Sequence, residues 1–207
     1  MQKLSITWFG HSTFLIRTPG GKRVIFDPWL TGNPSCPDAL KKPPKADLIL
    51  VSHGHFDHMD DLISVARDSG APVVSIFEIG DWLGRKGIAN TSPMNKGGSQ
   101  EIAGLRITMT DARHSSGYVD NGQRVYMGEA AGYVIRREDG RIVYYAGDTC
   151  LFGDMKLIGE MYSPEIAFLP IGDRFTMDPA AAARACEFLG VRLVVPMHWG
   201  TFPLLTG

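Results

Sequence analysis

His53-Gly54-His55-Phe56-Asp57-His58 puts three imidazoles and a carboxylate inside six residues. Imidazole nitrogen and carboxylate oxygen are the donors that hold zinc, manganese and iron. In an extended chain, residues i and i+2 point the same way, so His53 and His55 can aim their rings at one ion. Asp57 and His58 come where the chain turns into a helix and can face a second ion. Four such groups packed this closely would repel or desolvate one another without a cation, which argues against a set of ordinary core or surface histidines.

The chain has six histidines, so three stand elsewhere. His114 comes after the run ending at Thr110, and His198 follows Val194-Val195-Pro196-Met197. His11 lies between Gly10 and Ser12 at the start of a second strand. Asp148 follows Val143-Tyr144-Tyr145-Ala146-Gly147, and an Asp ending an apolar strand needs a cation or a helix N-terminus to balance it. Taken singly, His114, Asp148 and His198 could each be a capping or turn residue. Beside the histidine cluster they read as further metal ligands. For His11 two readings stand: a core histidine bonded to backbone, or a pocket residue that contacts substrate or donates a proton to the leaving group.

Mostly short strands position these residues. Leu4 to Phe9, Thr13 to Thr18 and Arg23 to Phe26 have strand character, and Pro19-Gly20-Gly21-Lys22 forms the turn before the third. Asp47 to Ser52 is an apolar run of the kind buried on both faces, ending at His53. An amphipathic helix is predicted over Asp60 to Asp68, a strand over Val73 to Phe77 and a helix over Ile79 to Lys86. Strands follow at Leu105 to Thr110, Tyr133 to Arg137 and Arg141 to Ala146. Helices are predicted at Asp154 to Met161 and Pro179 to Leu189, the latter with Asp178 as N-cap and Pro179 in its first turn. Ile166 to Pro170 and Arg192 to Pro196 read as strands. Two strand-rich halves, each finished by helix–strand units, imply two sheets with helices outside. The Pro- and Gly-rich stretch from Asp27 to Lys45 is the longest loop, a common place for function.

The 207 residues, 44% of them hydrophobic, suit one domain spanning 1–207. A formal net charge of -1, with no Lys/Arg-rich stripe, argues against nucleic-acid binding. Lys41, Lys42 and Lys45, the densest basic cluster, are interrupted by Pro43 and Pro44 and read as a solvated loop. Three cysteines do not make a disulfide framework and point to a reducing compartment. Cys36 and Cys186 read as buried small hydrophobes. The N-terminus lacks a signal-peptide pattern, and no apolar run is long enough to span a membrane. These features predict a cytoplasmic protein.

His-x-His-x-Asp-His, a lone His, a Gly-Asp-Thr and a late His after a strand together resemble the metallo-β-lactamase superfamily. The likeness is closer to its small bacterial metal-dependent hydrolase group, related to the ascorbate-phosphate lactonases. It rests also on Gly10-His11-Ser12, Phe26-Asp27-Pro28, Gly147-Asp148-Thr149, Pro170-Ile171-Gly172-Asp173 with Phe175-Thr176-Met177, and Pro196-Met197-His198. The resemblance implies an α/β fold of the αββα sandwich type. It also implies one metal on His53, His55 and His114, another on Asp57, His58 and His198, and Asp148 bridging the two. Asp27 becomes a group behind the ligand loop, a role that competes with a simple turn. Arg174 stands where the group has a smaller polar residue, and Cys150 closely follows Asp148; both bear on substrate choice. The resemblance also implies a longer C-terminus than the one ending at Gly207.

The chemistry expected is hydrolysis by a hydroxide bridging two divalent ions, zinc first, with manganese, iron or nickel also compatible. Asp57 orients the hydroxide, and Arg174 can meet an anion. The substrate expected is a small, anionic ester, lactone or phosphodiester; neither nucleic acid nor membrane is a partner, and homo-oligomerisation stays open. Two other readings carry weight: a single-iron sulfur oxygenase of the same fold, and a metal-binding protein without turnover. An open ligand position would speak against the last, because structural sites are normally closed.

Overall fold

Short strands, most of them apolar and buried at consecutive positions, generate two large sheets and a separate two-stranded one. The computed structural model describes residues 3–42 and 45–207, so Pro43 and Pro44 of the basic loop lie outside the described residues. The chain divides into two units, Met1–Asn95 with Ser115–Glu129, and Lys96–His114 with Ala130–Gly207.

The first unit holds a five-stranded sheet in the order β1-β2-β3-β4-β5. These strands are β1 (Ser5–Trp8), β2 (Phe14–Arg17), β3 (Arg23–Phe26), β4 (Leu48–Leu50) and β5 (Val73–Val74). The first three pair antiparallel through tight turns, while β3, β4 and β5 run parallel. Parallel neighbours need crossovers, and α2 (Leu62–Ser69) lies in the β4–β5 connection. Ahead of it comes the single turn α1 (Phe56–Met59), and α3 (Phe77–Arg85) follows β5. The strand predicted over Val73 to Phe77 is therefore shorter, because Phe77 opens α3, with Ile76 as the extended N-cap residue.

A hairpin of β8 (Gly117–Tyr118–Val119–Asp120) and β9 (Gln123–Tyr126) also belongs to this unit. Asn121 and Gly122 both have positive φ, 50° and 79°, the signature of a type I′ two-residue turn. Tyr118 Oη donates to Asp60 at 2.9 Å, and Trp82 Nε1 donates to Asp120 at 2.9 Å. The hairpin is thus fastened to the chain just past α1 and to α3.

The second unit is a six-stranded sheet ordered β13-β12-β11-β10-β7-β6. Its antiparallel part is β6 (Ser99–Ile102), β7 (Leu105–Asp111), β10 (Ala131–Arg136) and β11 (Ile142–Tyr145). The chain then runs β11–α4–β12–α5–β13 with parallel pairing, through α4 (Met155–Tyr162), β12 (Ile166–Pro170), α5 (Pro179–Leu189) and β13 (Leu193–Met197). Asp178 caps α5 as expected, its carboxylate accepting from Ala181 N at 2.6 Å. Tyr144, Phe152, Met155, Leu169, Ala185 and Leu189 join strands and helices in one apolar cluster. Cys186 is only partly buried at its edge, because its position on α5 falls beside the face that Ala182, Ala185 and Leu189 bury. Cys36 is buried, Cys150 is exposed, and all three thiols are free.

Candidate metal centre

In the first unit the apolar strand β4 delivers the chain to Val51 and Ser52, and His55 is extended as the N-cap residue before α1 begins. His53, His58 and Asp27 are all fully buried. Asp27 follows β3 with φ 45°, which turns its carboxylate towards the end of β4. There it accepts from Ser52 N at 2.7 Å, Ser52 Oγ at 2.6 Å and His58 Nδ1 at 2.8 Å.

This arrangement dictates proton positions. A carboxylate only accepts, so the one hydroxyl proton of Ser52 goes to Asp27. His53 Nδ1, 2.9 Å from Ser52 Oγ, must then be the donor of that pair. His58 Nδ1 is likewise a donor to Asp27. In both rings the lone pair is left on Nε2, the tautomer a metal requires. One buried carboxylate thus sets the tautomers of two histidines. These residues suit a metal, since ligating histidines characteristically give their other N–H to a carboxylate or an equivalent acceptor.

His53 Nε2 lies 3.0 Å from His55 Nδ1. Two nitrogens bound to one tetrahedral zinc at about 2.0–2.1 Å would stand roughly 3.3 Å apart, so the spacing is of the right size. Donor atoms of Asp27, His53 and His58 also converge within 4.8 Å of one another. Asp57, in the first turn of α1, accepts from His11 Nε2 at 3.0 Å. His11 is fully buried in the β1–β2 turn at φ 54°, its carbonyl held by Trp8 Nε1 at 3.0 Å. Its ring meets that of Trp29 edge-on at 5.3 Å.

In the second unit, two imidazoles address one carboxylate oxygen. His198 Nε2 stands 2.8 Å from Asp148 Oδ2, and His114 Nε2 stands 3.7 Å from the same atom. Asp148 follows β11 and His198 follows β13, neighbours of β12 on either side, so strand order accounts for the pairing. His198 has φ 59° and its carbonyl presses on Gly172, where a Cβ would come within 1.9 Å of that oxygen. The Gly of Pro170-Ile171-Gly172-Asp173 is therefore required by the His198 turn. Thr149 Oγ1 accepts from Arg113 N at 3.0 Å and Cys150 N donates to Arg113 O at 3.3 Å, stitching the His114 loop beside Asp148.

Arg174 is exposed at φ 45°, its guanidinium over the ring of Phe175 at 5.6 Å. Its backbone N donates to Asp173 at 2.7 Å. Sequence reasoning missed two serines. Ser52, directly before His53, relays the hydrogen bond to Asp27; its place between an apolar strand and a ligand was the available signal. Ser116 Oγ accepts from Gly54 N at 3.0 Å and donates to Met127 O at 3.2 Å, tying the hairpin to the ligand loop. No local spacing could have paired residues sixty-two positions apart.

Residues 22–199 match the family model described as a beta-lactamase superfamily domain. A UPF0173 metal-dependent hydrolase of Solibacter usitatus is 52% identical over 204 residues, covering 99% of this chain and 88% of the relative. The chain belongs to this family. It is a metal-dependent hydrolase, and its fold is the α/β metallo-β-lactamase type that the motifs implied. A second family member, from Koribacter versatilis, is 49% identical over 207 residues, covering 100% of this chain and 89% of its own. Among solved structures, the metallo hydrolase Igni18 of Ignicoccus hospitalis superposes with TM-score 0.88 and 38% identity, over 99% of this chain and 86% of that one. Among the described residues, no helix is long and apolar enough to cross a membrane.

Proposed function

We propose that residues 1–207 act as one hydrolytic domain in which His53, His55, Asp57, His58, His114, Asp148 and His198 hold two divalent ions, zinc first. The observation that carries this reading is the buried Asp27, whose bonds to Ser52 and His58 leave ligand lone pairs on His53 and His58. Following the family pattern, His53, His55 and His114 would hold one ion, Asp57, His58 and His198 the other, and Asp148 would serve both. Paired divalent ions supply a hydroxide nucleophile at neutral pH and a Lewis acid for the substrate oxygen.

The chain's own residues do the positioning. Asp57 orients the nucleophile, and His11 acts through Asp57 by fixing its carboxylate with an N–H. Full burial supports this positioning role for His11 over direct contact with substrate. Asp27 holds two imidazoles in the ligand tautomer. Arg174, on an exposed turn, is proposed to meet the anionic part of a small lactone, ester or phosphodiester. The motif resemblance to a group related to the ascorbate-phosphate lactonases points to an anionic substrate, and a cytoplasmic setting accords with the three free thiols.

The test is turnover of zinc-loaded protein on a panel of lactones, carboxylic esters and phosphodiesters, with oxygen uptake followed in parallel on iron-loaded protein using sulfur substrates. Hydrolysis without oxygen consumption is expected. Oxygen uptake with no hydrolysis of any panel member would overturn it in favour of an iron oxygenase.

A further inference from the structure

Away from the histidines, the first unit's sheet carries an arrangement that costs stability as it stands. The register pairs Ser5 with Arg17 and Arg17 with Arg23, so these three occupy one row across β1, β2 and β3. Side chains directly opposite on adjacent strands share a face, which makes two arginines cross-strand neighbours. Like charges in that position are destabilising. Asp47 N donates to Arg23 O at 2.8 Å, which brings that carboxylate to the end of the row.

Asp47 spends its hydrogen bonds on Arg23, and Lys22 adds only a Coulombic pull on the same carboxylate. Its Oδ2 accepts from Arg23 N at 2.8 Å and Nε at 3.1 Å, and its Oδ1 from the guanidinium at 3.2 Å. Among the described residues, Arg17 and Lys22 have no ion-pair partner, and the hydroxyls of Ser5 and Thr7 make no hydrogen bond. All six side chains line one cleft of about 560 Å³, with Gly20 and Gly21 on its rim. Three cations face one carboxylate there, a surplus of two positive charges beside two idle hydroxyls. The row sits three residues along β2 and β3 from Phe14 and Phe26, roughly 10 Å from the strand ends that carry His11 and Asp27.

We propose that this cleft is an oxyanion site that binds a phosphate group through Arg17, Lys22 and Arg23, with Ser5 and Thr7 as neutral donors. Guanidinium groups match phosphate oxygens bidentately, and an anion between Arg17 and Arg23 turns their repulsion into attraction. The cleft is larger than inorganic phosphate needs, so it also admits a phosphomonoester. Its ligand is independent of the hydrolytic centre.

The experiment is calorimetric titration of inorganic phosphate, and separately of glycerol phosphate, into the metal-loaded full chain. Wild type, Arg17→Gln with Lys22→Gln, and Asp47→Asn are compared. Wild type should bind at millimolar concentration or tighter, more weakly as salt rises. The double variant should lose roughly tenfold or more in affinity while its metal content holds and its melting temperature does not fall. Asp47→Asn, which releases Arg23, should bind several-fold more tightly. Tighter binding of glycerol phosphate identifies a phosphomonoester as the ligand, and equal binding identifies free phosphate; both support the site. Affinity unchanged across all three proteins would place phosphate at the metals and overturn the proposal, as would no binding by wild type up to about 10 mM.

Discussion

His58 Nδ1 lies 2.8 Å from Asp27 Oδ2, and neither side chain reaches solvent. Asp27 also takes both the N–H and the hydroxyl of Ser52, so three donors converge on two oxygens. An amide in its place offers one acceptor oxygen and turns N–H groups towards N–H and O–H donors. Asp27→Asn should therefore keep the ligands but weaken metal binding by about 10–100-fold, the usual scale for a group that orients a ligating histidine. Competition with a chromogenic chelator measures this. Wild-type affinity in Asp27→Asn would show that the tautomers are set by something else.

Gly54 has no room for a side chain. A Cβ there would meet the Cβ of Met127 at 2.3 Å, while Ser116 Oγ holds the Gly54 N–H. Gly54→Ala should push the hairpin from the ligand loop and destabilise the protein by about 1–3 kcal/mol. Shortening the obstacle, as Met127→Gly, should restore part of that loss in the double variant. Purely additive melting shifts would mean that the two positions are not in contact.

For His11 the positioning role makes a split prediction. His11→Ala should retain its metals and lose about 10–100-fold in turnover, since Asp57 keeps its charge but loses its orienting N–H. Elemental analysis and turnover on the same preparation decide it. Full activity per metal-loaded molecule would reduce His11 to a core residue.

The acid limb of stability offers a check far from the histidines. Hydrogen bonds from Arg23 hold the Asp47 carboxyl below the usual carboxylate range, against the opposing effect of burial. A depressed folded value means that the unfolded chain binds the proton first. The contribution is thus present above about pH 4 and is lost as pH falls through the folded value. In denaturant melts between pH 6 and 2.5, Asp47→Asn should show a shallower acid loss than wild type. Parallel curves would remove Asp47 from the titration.

How much was legible follows from range. Arg23 to Phe26, Ile166 to Pro170 and Pro179 to Leu189 were bounded correctly because turn residues, an apolar run and an Asp-Pro cap act within a few positions. His53 to His58 announced a metal because spacing within one loop is itself geometric. The hairpin of β8 and β9 was missed although Asn121-Gly122 marked its turn, since exposed Val119 and Tyr126 break the apolar alternation a strand shows. Ser52 offered only its place before His53 and Ser116 offered no signal, because a hydroxyl's role depends on what the fold brings within about 3 Å. His11 could be weighed but not decided, because its partner Asp57 lies forty-six residues away.

The central claim is a binuclear centre built on seven side chains with Asp148 shared between the ions. Elemental analysis of protein saturated with zinc and stripped of loose metal by gel filtration tests it most directly. The account predicts about two ions per chain for wild type, and weakened retention of both in Asp148→Ala. Saturation at one ion per chain, or an Asp148→Ala variant that loses one ion and holds the other at wild-type affinity, would contradict it.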